Sequence, residues 1–150
     1  MAFAFGAYGA PSVRMTQSQD IRDRSFAFAC AVARLALVLP QRPGVRCLVD
    51  QLLKSATAVG ANLEEAKAGS STREFVRLVE IALREAREAT YWLRICAALE
   101  LAPSDQLKQL GGEGDQISRI LGSIVVKTKS RLRLGYAVFA FCILNFELLS

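Results

Sequence analysis

The stretch "ANLEEAKAGSSTREF", Ala61–Phe75, sets Asn62, Glu64 and Glu65 in an Ala-rich run, breaks at Gly69-Ser70-Ser71 and restarts at Glu74-Phe75. It can be read as a catalytic carboxylate pair, an anion site or the corner between two helices. Local chemistry favours the corner. Gly69 falls where a helix ends most readily on a left-handed residue. Ser71 then caps the next helix, and Glu74, three residues on, is placed to reach back to the Ser71 amide as a capping box. A phosphate could use the same N-terminal amides, but capping already satisfies some of them.

Working outward, apolar residues recur at steps of three and four. Phe26, Cys30, Ala33 and Leu37 form one stripe, stopped by Pro40 and Pro43. Val45, Leu48, Leu52, Ala56, Val59 and Leu63 form a second, ending near Gly69. Phe75, Leu78, Ala82, Ala86, Ala89, Leu93 and Cys96 form a third; Leu107, Leu110, Gly114, Ile117, Leu121, Ile124 and Thr128 form a fourth. Four amphipathic helices with short connections predict an all-α, antiparallel up-and-down four-helix bundle over 20–133. Gly111, Gly112 and Gly114 weaken the fourth helix by about 1 kcal/mol each relative to Ala, so it is expected to start near Asp115.

Beyond these bounds the chain changes character. Residues 1–19 are small, aromatic and Gly/Pro-broken, and are expected to be a poorly ordered extension without a secretory signal. Residues 134–150 form an apolar tail that falls short of the ~20 residues a membrane helix needs. Its Tyr, Val, Phe and Ile content favours strand over helix. An oligomer contact, a membrane-surface contact and a loosely ordered extension are all open to it, with the extension preferred.

Composition excludes several chemistries. The chain has no histidine, and Cys30, Cys47, Cys96 and Cys142 show no zinc-ligand spacing; Cys30 and Cys96, in apolar helical stretches, are expected to be buried free thiols, which suits a reducing cytoplasm. Asn62 and Glu65 share a helix face, as do Glu85 and Glu88. Asn62 and Glu65 read either as a polar contact between neighbouring helices or as a polar cluster in a groove or at a subunit interface, while carboxylates at the spacing of Glu85 and Glu88 could bind metal in a bundle. A di-metal bundle site wants Glu-x-x-His on facing helices, and no phosphate-loop or dinucleotide motif is present. Neither a metal nor a cofactor is expected, and no catalytic activity.

The segment Gln51–Ile95 closely resembles the bacterial four-helix-bundle family of 23S rRNA-intervening-sequence proteins. The shared positions are Gln51, Leu52, Ala61, Asn62, Glu65, Ala66, Ser71, Phe75, Ile81, Ala82, Glu85, Ala86, Glu88, Trp92 and Leu93. The resemblance implies an up-and-down bundle and, in family members, a homopentameric ring. A related branch looks like the accessory proteins of diversity-generating retroelements, which implies a reverse transcriptase and its RNA as partners. The resemblance carries over no catalytic residue. Asn62, Glu65, Ser71, Phe75, Glu85, Glu88 and Trp92 enter as motif residues with structural or interface roles.

Net charge is +5. From Ile117 to Leu134 the chain carries Arg119, Lys127, Lys129, Arg131 and Arg133 and no acid. One reading is a solvated basic helix end that complements the helix dipole. The other is a patch that an oligomer would repeat into a surface for RNA or DNA phosphates, tolerant of sequence. Two function classes follow: a non-enzymatic, cytoplasmic nucleic-acid-binding accessory protein, or a structural oligomer that engages a protein partner. Neither involves stable membrane insertion.

Overall fold

Four helices account for nearly all of the described residues: α1 (Ile21–Val38), α2 (Pro43–Ala68), α3 (Thr72–Ala98) and α4 (Ser104–Glu147). The computed structural model describes residues 20–40 and 42–147, with side-chain environments as far as residue 134. The expected extension over residues 1–19 lies outside the described residues. Sequential helices pack antiparallel, and α1 closes the bundle against α4. This is the predicted up-and-down four-helix arrangement.

Asp20 caps α1 by accepting the Arg22 amide proton at 3.1 Å. The buried face of α1 is Ser25, Phe28, Val32, Leu35 and Ala36, continued by Leu39 just past its end. This corrects the stripe read from the sequence. Phe26 and Leu37 are 69% and 84% exposed, and Cys30 and Ala33 are half-buried. Two apolar stripes run along α1, and the bundle takes the one that carries the larger set of side chains. Pro43 opens α2 at its first turn, where its missing N–H is not needed.

The α2–α3 corner forms where the sequence placed it, with different chemistry. Gly69 is extended (φ −61°, ψ 143°), not left-handed, and delivers the chain directly into the cap. Ser71 Oγ accepts the Glu74 amide proton at 3.2 Å. The return half of the expected box is replaced: Glu74 instead accepts two bonds from Arg77, at 3.0 and 2.6 Å. Two charge-assisted bonds outweigh one amide. The left-handed residue sits at the other corner, where Glu100 has φ 52°. There the Leu101 and Glu100 amides close back on Cys96 and Ala97 at 3.0 and 3.1 Å, satisfying the carbonyls that end α3.

Two expectations for α4 are also corrected. It begins at Ser104, not near Asp115, and runs unbroken through Gly111, Gly112 and Gly114. Packing explains this. Leu107, Leu110, Ile117 and Leu121 are all buried, and each such side chain contributes about 1.5–3 kcal/mol. Gly114 is moreover a packing requirement: a Cβ there would lie 2.5 Å from Thr90 Oγ1 and 3.5 Å from the Phe28 ring. The backbone past residue 134 continues α4 as helix to Glu147, where local composition favoured a strand. Extending a formed helix needs no new nucleus, and strand propensity depends on a sheet to join.

Thr128 lies level with the α2–α3 corner, lining one hollow with Ser71, Thr72 and Phe75. The last turns of α4, about 27 Å of helix at 1.5 Å per residue, therefore continue past that end of the bundle.

Candidate nucleic-acid interface

Arg119, Lys127, Lys129, Arg131 and Arg133 are all exposed on α4. Their alternation does not make one patch. At about 100° per residue, Lys127 and Arg131 share one side of the helix, while Lys129 and Arg133 share a side about 160° away. Arg119 projects between the two. Lys129 Nζ turns to α3 and bonds Glu80 Oε1 at 2.6 Å. Among the described residues Arg119, Lys127, Arg131 and Arg133 hold no such ion pair. The structure thus separates one cation that ties helices together from four that face water.

The motif residues fall into structural roles. Asn62 is half-buried and donates to the Ala58 carbonyl one turn back at 2.7 Å, a bond within its own helix. Glu65 is exposed. Glu88 accepts from Trp92 Nε1 at 3.1 Å, and Trp92 meets Tyr91 edge-on at a ring separation of 5.2 Å. Glu85 is half-buried one turn away. Phe75 and Trp92 pack against the core. Ser71 is the cap already described. The structure does not bring Asn62, Glu65, Glu85 and Glu88 together as one cluster: among the described residues no three His, Cys, Asp or Glu side chains are grouped to hold a metal ion.

Electrostatic shifts follow the ion pairs. Hydrogen bonding to Arg77 holds the Glu74 carboxyl below its ordinary value, and hydrogen bonding to Arg22 does the same for Asp20. Glu113 raises Arg24, through a fork that ties α1 to α4 and also reaches Gln116 at 2.6 Å. Cys96 is raised by burial, so its thiol stays protonated and unreactive.

Sequence reasoning passed over two features. On α3, Arg73, Arg77, Arg84, Arg87 and Arg94 recur at steps of three, four and seven on the solvent side. Applied to charge, the same period that found the core would have found this row. On α1, Phe26, Cys30 and Ala33 line a groove with Gly60 and Ala61 of α2, rimmed by Arg22 and Glu64. Among the described residues no helix is long and apolar enough to cross a membrane.

Comparison with known proteins agrees with the fold. A crystal structure of a protein of unknown function, from the S23 ribosomal protein family of Bacteroides thetaiotaomicron, superposes with a TM-score of 0.67 at 30% identity. The match covers 71% of this chain and 98% of that one. Among curated proteins nothing matches. Residues 17–123 match the family described as 23S rRNA-intervening sequence protein. The chain belongs to that family.

Proposed function

We propose that the protein is a non-enzymatic, self-associating accessory protein of the cytoplasm that binds RNA or DNA through exposed basic residues of α4, with little sequence preference. The observation that carries this reading is the acid-free run Ile117–Leu134, in which Arg119, Lys127, Arg131 and Arg133 face water without ion pairs among the described residues. Lysine and arginine outside any groove-reading motif contact chiefly phosphates, so phosphate contact is the natural chemistry of that surface. Self-association draws on the second apolar stripe of α1, where Phe26 and Leu37 are 69% and 84% exposed. Repeating the basic turns of α4 in a ring, pentameric by analogy with the family, multiplies weak contacts through avidity. A reverse transcriptase acting on RNA is the partner that the family analogy offers.

A fluorescence titration with structured RNA and duplex DNA at two salt concentrations tests the nucleic-acid reading. Affinity is expected to fall steeply with salt and vary little with sequence. Lys127→Gln with Arg131→Gln should weaken every sequence alike. Salt-independent binding, or an unaffected double variant, favours the second reading: a structural oligomer that engages a protein partner, to which the same α1 stripe is suited. Light scattering that gives a monomer at micromolar concentration removes the assembly.

A further inference from the structure

We infer that the arginine row on the outer face of α3 is a second phosphate-contacting surface, and that its partner is double-stranded nucleic acid. This rests on the nucleic-acid reading proposed above and extends it to a different helix. Arg73, Arg77, Arg84, Arg87 and Arg94 fall within an arc of about 100° and span about 32 Å along the axis. All five are exposed, opposite the buried face of Leu78, Ala82, Ala86, Ala89 and Leu93.

The acids of α3 cancel the row only in part. Glu74 pairs with Arg77, itself a member of the row; Glu80 is neutralised by Lys129, and Glu88 keeps its charge while accepting the Trp92 indole proton. Glu85 is half-buried toward the flank of the helix. Arg84, Arg87 and Arg94 are left without an ion pair or side-chain hydrogen bond among the described residues. The Lys129–Glu80 bond marks the side of α4 next to α3, and helical spacing puts Arg133 and Arg119 about 40° and 80° further round from Lys129. The cations of the two helices thus flank one α3–α4 face.

Three features choose the partner. The cations of the row are all arginines, whose planar forks match phosphate bidentately where lysine offers a point charge. The row is straight and rigid, because a helix buried along its whole inner face carries it. It spans about one turn of a duplex, which is ~34–36 Å, and duplexes stay straight over far longer distances. A single strand would instead want stacking platforms for successive bases. The one aromatic in the row, Tyr91, has its ring turned edge-on to Trp92.

The test is an anisotropy titration of the full chain with an RNA duplex, a DNA duplex and an unpaired strand of equal length, at two or more salt concentrations. Arg84→Gln with Arg87→Gln is expected to reduce the slope of log affinity against log salt by about 2, one per lost phosphate contact, on unrelated duplex sequences alike. Arg84→Lys with Arg87→Lys should restore most of the slope but not all of the affinity. Melting curves that match the unaltered chain verify the fold, since both residues are exposed. If the Lys127/Arg131 variant loses affinity while the Arg84/Arg87 variant does not, the row is overturned and the α4 reading stands. If the unaltered chain binds no nucleic acid, both fail. Tighter binding to the unpaired strand overturns the duplex assignment. Equal competition by polyglutamate shows a surface for acidic protein and overturns the nucleic-acid partner.

Discussion

Three glycines in one helix, Gly111, Gly112 and Gly114, ought to behave alike by propensity, and the packing says that they will not. Replacing a mid-helix glycine with alanine gains about 0.8–1.0 kcal/mol of helix propensity. Gly111 and Gly112 have open space where a Cβ would go, so each should deliver that gain. At Gly114 the Cβ would meet Thr90 Oγ1 at 2.5 Å, closer than such contacts ever come. Thr90 cannot easily yield: it is buried, β-branched, and bonded to the Ala86 carbonyl at 2.9 Å. The Phe28 ring closes the other side. Overpacking of this kind costs about 1–3 kcal/mol, which exceeds the propensity gain. Gly112→Ala is therefore expected to stabilise by about 1 kcal/mol, and Gly114→Ala to destabilise by up to about 2 kcal/mol.

Urea and thermal unfolding at one fixed protein concentration would show the difference, at about 2–4 °C of Tm per kcal/mol for a chain of this size. Thr90→Ala removes the obstructing hydroxyl. In the Gly114→Ala background it should recover part of the loss, giving a coupling of about 0.5–3 kcal/mol. If Gly114→Ala stabilises as much as Gly112→Ala, or shows no coupling to Thr90, the close approach of α1, α3 and α4 at that level is refuted.

Three further outcomes are expected. Ser71→Ala should cost about 0.5–2 kcal/mol through the lost cap, read by urea unfolding, and leave nucleic-acid affinity unchanged; collapsed binding with unchanged stability would make the corner an anion site. Glu113→Ala should cost about 1–3 kcal/mol, between the values for exposed and fully buried pairs, because it strands Arg24, whose side chain is 16% exposed. The carboxyls of Glu74 and Asp20 are depressed in the folded state. The stability they contribute is therefore present above their ordinary values and lost as pH falls through the lower folded ones. In acid, the first turns of α1 and α3 should fray before the core does, visible as faster amide exchange at Arg22 and Glu74.

Most of the bundle was legible because its core follows one rule. In α3, Leu78, Ala82, Ala86, Ala89, Leu93 and Cys96 were picked out by period alone, and all are buried. The corners were less legible, because turn chemistry depends on competing partners. Gly69 has no need of its conformational freedom, whereas Glu100 adopts the left-handed conformation without being glycine. Nothing local marks Glu100; the short connection from Ala98 to Ser104 imposes it. The basic run of α4 was legible as composition but not as a surface, since alternate residues on a helix point to opposite sides. The α3 row was missed because its arginines are interleaved with glutamates and vanish in a running charge count.

The reading of α1 failed for a reason that bears on function. The stripe Phe26, Cys30, Ala33 and Leu37 has faultless helical spacing, and so does Ser25, Phe28, Val32, Leu35 and Leu39. Period cannot choose between two apolar faces, and a helix in a four-helix bundle needs only one inward. The core took the face bearing Phe28, Val32 and Leu35, all at most 1% exposed. The other remained outside, with Phe26 over a shallow groove of small residues on α2. An exposed apolar stripe on an otherwise charged surface is what marks an interaction site. On the proposed reading the misplaced stripe is a second pattern, serving association where the first serves folding. Phe26→Ser separates the two roles. Phe26 is largely outside the core, so the variant should melt near the unaltered chain when both are dilute. Assembly, measured by light scattering over a concentration series, should weaken. A variant that unfolds yet assembles normally would place Phe26 in the core and return both stripes to a single role.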